Sequence, residues 1–204
     1  MSTPSSSSPS APPEASWLQQ LRHVLASPPP HRLPPGEGKV AAVLVPLYVD
    51  AGELWTLLTR RADDLPTHKS QIAFPGGNSQ PGEDSWDTAL REAEEEIGLP
   101  PVTALRLGTL DEGKTPSGFR IVPCVAAIPK EFRARLQSRE IAEVFPVPLS
   151  AFANPRLVED REVVLDGQTR ELRVYHVGSR QIWGLTARVL QNLLQRIGLE
   201  SAQG

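Results

Sequence analysis

Apolar residues along this chain recur with two periods. Residues 39–49 form a nearly continuous apolar run. Residues 53–59 follow it across Asp50-Ala51-Gly52, the pattern of two strands joined in a hairpin. Residues 105–110, 119–128 and 141–147 read as further strands, and 162–165 with 172–177 as a second hairpin around Asp166-Gly167. Three stretches repeat at helical spacing instead. Trp17, Leu18, Leu21 and Leu25 share one face of a short helix over 17–26. Trp86, Ala89, Leu90, Ala93 and Ile97 make an apolar stripe, and Leu185, Val189, Leu193 and Ile197 mark a packed helix over 183–197. No segment repeats another. A strand-rich chain with an internal and a terminal helix fits a layered α/β domain without singling out one fold.

The internal helix carries its own boundaries. Asp84 is placed to cap its N-terminus, with Asp87 completing a capping-box-like pair, and Gly98 stands where a left-handed stop is expected. Its charges sit badly. Glu92, Glu94, Glu95 and Glu96 crowd the C-terminal turns, where the helix dipole is already negative and like charges three or four apart repel. Arg91 alone stands nearby to offset them. At roughly 100° per residue, Glu92, Glu95 and Glu96 share a face and Glu94 points to the far side of the stripe. Carboxylate oxygens gathered on one rigid face suit a hard cation such as Mg2+ or Mn2+. The competing reading is a solvated charged face.

Just upstream, Phe74-Pro75-Gly76-Gly77 is a turn ending in two residues without Cβ, which lets the backbone approach a ligand closely. The Gly77 carbonyl is therefore a candidate further metal ligand, and a plain tight turn is the alternative. The two features lie at a fixed separation and support each other.

Together these residues resemble the Nudix box. Gly77, five residues, Glu83, seven residues, Arg91-Glu92, Ala93, one residue, Glu95-Glu96, one residue, Gly98-Leu99 follow its spacing, with Ala93 smaller than the usual aliphatic. The resemblance implies an α/β/α sandwich around a mixed sheet, and metal-dependent hydrolysis of nucleoside diphosphates linked to another moiety. It implies Arg91, Glu92, Glu95 and Glu96 as the catalytic group. The metal ligands it implies are Glu92, Glu95, Glu96 and Gly77, with a Glu83–Arg91 pair bracing loop and helix. Glu92 is the first choice for general base and Glu143 the second.

A second segment is similar to the coenzyme A pyrophosphatases of that family. Leu57-Leu58-Thr59, Arg61-Ala62 and the turn from Phe74 to Gly77 match, whereas Pro66 and Ser70 replace an Arg and a Gly. Thr115-Pro116-Ser117-Gly118-Phe119-Arg120 and Ile182-Trp183-Gly184-Leu185-Thr186 are similar as well. The substrate implied is coenzyme A or a derivative, cleaved to phosphopantetheine and adenosine 3′,5′-bisphosphate. Candidate contacts are Arg60, Arg61, His68 and Lys69 as a basic rim, with Phe74, Gly76 and Gly77 in the turn. Rival readings are hydrolysis of ADP-ribose, a dinucleotide or a nucleoside triphosphate, or a non-enzymatic nucleotide-binding module.

Composition narrows the partners. A net charge of −3 argues against a general nucleic-acid binder. Cys124 is the only cysteine and lies in an apolar stretch, so an inert buried thiol is expected. No apolar run is long enough to span a membrane, and the N-terminus lacks the basic and apolar regions of a secretory signal. A cytoplasmic location is the expectation. Residues 1–16 read as a disordered Ser/Pro-rich tail, 17–35 as a short helix and stiff Pro-rich linker, and 36–199 as the hydrolase domain. Because residues 1–10 lack the apolar side chains needed to join a core, deleting them is expected to leave activity and melting temperature nearly unchanged. A large loss of either would show that the tail docks.

Overall fold

The computed structural model describes residues 13–34, 39–63, 70–165 and 167–199. Residues 1–12 of the tail expected at 1–16, His68, Lys69 and the turn residue Asp166 lie outside them, while residues 13–16 belong to a helix rather than to a disordered tail. The described residues open with α1 (Pro13–Ala26), followed by β1 (Val40–Asp50), β2 (Glu53–Arg61), β3 (Ile72–Ala73) and β4 (Gly76–Asn78). Next come α2 (Ser85–Ile97), β5 (Leu105–Thr109), β6 (Gly113–Lys114), β7 (Arg120–Ala127) and β8 (Ile141–Pro148). The last third holds α3 (Leu149–Ala153), β9 (Val158–Leu165), β10 (Gln168–Val177), β11 (Arg180–Ile182) and α4 (Gly184–Ile197).

The main sheet runs β3-β2-β1-β7-β5, with β4 beside β1, β6 beside β7 and β8 beside β2. It is mixed: β1 and β7 are parallel and the other pairs are antiparallel. Side chains alternate across it with the period of two that strands impose. On β1, Ala42 and Leu44 face α2, whereas Val45 and Leu47 face α1 and α4. On β7, Val122, Cys124 and Ala126 take the α2 side and Val125 and Ala127 the other. Two cores result, one per face, and the α/β/α sandwich expected from the sequence is the fold. Cys124 is fully buried in the α2-side core, and burial pushes its thiol up to about 12, which keeps it inert at neutral pH.

The second hairpin extends beyond its expected bounds, to 158–165 and 168–177. Ion pairs rather than apolar alternation hold its added length: Asp160 opposes Arg173 and binds it through both oxygens at 2.8 Å. Charged positions of that kind leave no periodic trace.

Segment 13–34 packs onto the domain. Leu21 and Leu25 are buried beside α4, and Arg196 of α4 donates to the carbonyls of Leu25 and Pro28. Beyond the helix, the His31 N–H donates to Asp111 at 2.8 Å and the Leu33 N–H to Glu112 at 2.7 Å. Glu112, buried, also takes both arms of Arg120 at 2.7 and 2.8 Å. Leu25 is 1% exposed, so Leu25→Ala is expected to destabilise the protein by about 2–5 kcal/mol in urea unfolding. A change below about 0.5 kcal/mol, the range of ordinary surface substitutions, would mean that α1 adds nothing to the core.

Candidate active site

α2 presents the candidate carboxylates, and its ends are fixed as the sequence indicates. Asp84 Oδ1 accepts from the N–H of Trp86 at 2.7 Å and of Asp87 at 2.8 Å, while Asp87 reaches back to the Asp84 N–H. Gly98 closes the helix at φ 71°, with its N–H on Glu94 O and the Leu99 N–H on Ala93 O. The apolar stripe, including the small Ala89 and Ala93, is buried against the sheet. That docking brings the last turn of the helix against β4.

There the glycine turn and the glutamates interlock. The Gly76 N–H donates to Glu96 Oε2 at 3.2 Å. A Cβ on Gly77 would lie 2.5 Å from the Glu92 carboxylate, so the missing side chain is what admits Glu92. Glu96 is 7% exposed, and its pKa is pushed up to about 8. Burial is the main cause; the Gly76 N–H opposes it, Glu92 adds to it, and Arg61 and Glu140 are near enough to bias it in opposite directions.

Arg91 organises the rest. Its Nε and Nη2 grip both oxygens of Glu83 at 2.7 and 3.1 Å, Nη2 also reaches Asn78 O, and Nη1 bridges Glu92 at 2.9 Å and Glu95 at 3.2 Å. All five of its donors are used, which makes it a positioning residue. The Glu83 carboxyl is held at about 2 by these bonds and by the Gln80 N–H, so the brace stays ionised.

Several expected site residues separate from this group. Glu95 is 58% exposed and tied to Glu92 only through Arg91, and no three acidic, His or Cys groups converge as a metal cage among the described residues. Glu92, Glu96 and the Gly77 backbone remain as the converging set. Glu94 is exposed. Phe74 is 3% exposed and packed in the core on the α4 side, so it shapes the turn and offers no surface to a ligand.

Arg60 and Arg61 face opposite ways. Arg60 shares the α4 side with Leu58 and pairs with Asp63 and Glu143. Glu143 is bound there by Arg180, whose guanidinium lies over the Phe145 ring. This removes Glu143 from the glutamates and with it the second choice for general base. Arg61 is on the Glu96 side and pairs with Glu140 at 3.0 Å, while Asp63 pairs with Arg60. Its Nε–H is buried and meets no acceptor among the described residues.

Glu140 is the acidic neighbour that sequence reading missed. It sits in a loop just ahead of β8, where no periodic pattern marks it. Hard oxygen donors from Glu92 and Glu96, with the Gly77 backbone beside Glu92, fit a magnesium- or manganese-like cation.

A family model described as the NUDIX domain matches residues 38–167. An uncharacterized Nudix hydrolase, NudL, of Yersinia pestis is 34% identical over 160 residues, which is 78% of this chain and 80% of that protein. In fold, the chain is similar to a MutT/nudix family protein from Enterococcus faecalis, with a TM-score of 0.55 at 19% identity over 91% of this chain and 68% of the other. A NUDIX hydrolase from Alicyclobacillus acidocaldarius aligns with a TM-score of 0.52 at 18% identity, over 82% of this chain and 99% of its own.

The geometry separates two neighbouring glutamates. Glu96→Gln keeps an acceptor for the Gly76 N–H and carries no charge into burial, so the metal-free melting temperature should hold or rise. The same variant should lose the stabilisation that Mg2+ gives the wild type and drop turnover about 100-fold or more, the scale of a lost electrostatic catalytic group. Glu94→Gln should change neither. Equal losses in two folded variants would overturn the assignment of faces.

Proposed function

The chain belongs to the Nudix hydrolase family, and on that premise we propose that it is a metal-dependent pyrophosphohydrolase acting on coenzyme A or its derivatives. The observation that carries the substrate reading is Arg61. It lies in the segment similar to coenzyme A pyrophosphatases, faces Glu96, and holds a buried Nε–H without an acceptor among the described residues. A phosphate oxygen would satisfy that donor, and an arginine fork suits phosphate.

The residues divide the work. Glu92, Glu96 and the Gly77 carbonyl would hold Mg2+ or Mn2+, with Glu95 at the rim. The bound cation supplies Lewis-acid stabilisation of charge developing on the diphosphate. Arg91 fixes the Glu92 carboxylate and the Gly76 N–H fixes Glu96. Arg61 orients the diphosphate. Water attacks one phosphorus, the anhydride P–O bond breaks, and Glu92 takes the water proton. The products are phosphopantetheine and adenosine 3′,5′-bisphosphate. A purely binding module is disfavoured because Glu92, Glu95 and Glu96 are all retained.

Purified protein with Mg2+ or Mn2+ should hydrolyse coenzyme A in preference to ADP-ribose, a dinucleotide and nucleoside triphosphates. Arg61→Ala should lower kcat/KM for coenzyme A by about 10- to 100-fold, the equivalent of a hydrogen bond to a charged group, with the melting temperature unchanged. A fall in melting temperature with kcat/KM unchanged would assign Arg61 to loop structure. Turnover of another nucleotide with coenzyme A left intact would overturn the substrate and leave the metal reading standing.

A further inference from the structure

The connection from β7 to β8 is basic where it meets the candidate site. It carries Lys130, Arg133, Arg135 and Arg139, all exposed. Lys130 is paired with Asp50, and Arg133 donates to the carbonyls of Lys130 and Phe132. Arg135 and Arg139 make no side-chain hydrogen bond or ion pair among the described residues. Most described arginines are engaged with carboxylates or carbonyls; Arg135 and Arg139, four residues apart in this loop, are free, as are the exposed Arg156 and Arg188 elsewhere in the chain.

Position sets Arg135 and Arg139 apart from the other two. The Arg135 N–H donates to Ile97 O at 2.9 Å and the Gln137 N–H to Glu96 O at 3.3 Å, which pins the loop to the last turn of α2. At the other end Glu140 O accepts from the Ala62 N–H at 2.8 Å, and the Glu140 carboxylate holds Arg61. Residues 135–140 therefore bridge the element that supplies Glu96 and the element that supplies Arg61. A substrate diphosphate held between Glu96 and Arg61 lies along this bridge.

Two roles compete for the free arginines. α2 has no basic residue in its last turn, and cations in the adjoining loop offset its negative end. Charge compensation, however, does not keep guanidinium forks free, since exposed Glu94 and Glu95 stand at the same helix end. A second anion on the substrate does need them. The carboxylates of Glu92, Glu95, Glu96 and Glu140 repel a phosphomonoester dianion, and forked cations at the rim offset that repulsion.

We infer that Arg135 and Arg139 form a subsite for a phosphomonoester of the substrate, separate from its diphosphate: the 3′-phosphate where the substrate is coenzyme A. This rests on the coenzyme A reading above and states which group of the molecule is recognised.

The test compares coenzyme A with 3′-dephospho-coenzyme A, and adenosine 3′,5′-bisphosphate with adenosine 5′-monophosphate in calorimetric binding. Wild-type protein should favour the 3′-phosphorylated member of each pair by about 10-fold or more, the scale of one charge-assisted contact. The double variant Arg135→Ala/Arg139→Ala should bring both ratios to within about 3-fold of unity. Arg135→Lys/Arg139→Lys, which keeps the charge and removes the fork, should fall between and guards against a folding defect in the alanine pair. A double variant with a lower melting temperature and unchanged ratios would assign the arginines to helix compensation and overturn the subsite. So would a wild type indifferent to the 3′-phosphate. Hydrolysis of neither coenzyme, with the binding ratios intact and lost in the variant, would overturn the coenzyme A reading and leave the subsite standing.

Discussion

A carboxylate buried at the negative end of a helix, beside a second carboxylate, has to be compensated from outside that helix. The surroundings of Glu96 follow from this requirement. The Gly76 N–H approaches from β4, Arg61 from β2, and the β7–β8 loop closes over the last turn with its backbone N–H groups. None of these partners belongs to α2. The helix is electrostatically incomplete alone, so the elements that complete it are the walls of the site, and the field they leave unbalanced is what a divalent cation would answer.

The sheet makes such convergence possible because its strands carry two faces. The α2 side of β1 and β7 is apolar and lets the helix lie close, helped by Ala89 and Ala93. The opposite side is the larger core, covered by α1, α3 and α4 and built from Val45, Leu47, Leu58 and Phe145 among others. Segment 28–34 is tied to Asp111 and Glu112, two acidic residues that serve the scaffold and not the chemistry.

What the sequence revealed was what is local. The cap at Asp84, the stop at Gly98, the apolar stripe and the Glu83–Arg91 brace depend on residues a few positions apart, and each is present as read. The departure at Ser70 is local too: it holds φ 56° where glycine would be unstrained, secured by a hydrogen bond to Asp63. What stayed hidden depends on distant partners. Glu95 shares the helix face of Glu92, yet it is exposed and meets Glu92 only through Arg91. Glu140 enters from a loop some eighty positions beyond Arg61, and no periodicity announces it. Phe74 belongs by motif to the glycine turn and by packing to the core.

Arg60 and Arg61 are successive residues of one strand that serve opposite sides of the molecule, with a register irregularity between them. Selectivity is therefore written partly in odd and even positions. A one-residue slip of β2 would offer Arg60 to the glutamates and turn Arg61 toward Phe145 and Arg180, with composition and motif untouched. Insertions that the loops absorb without effect would, placed inside β2, exchange the cation on the Glu96 side for a structural one.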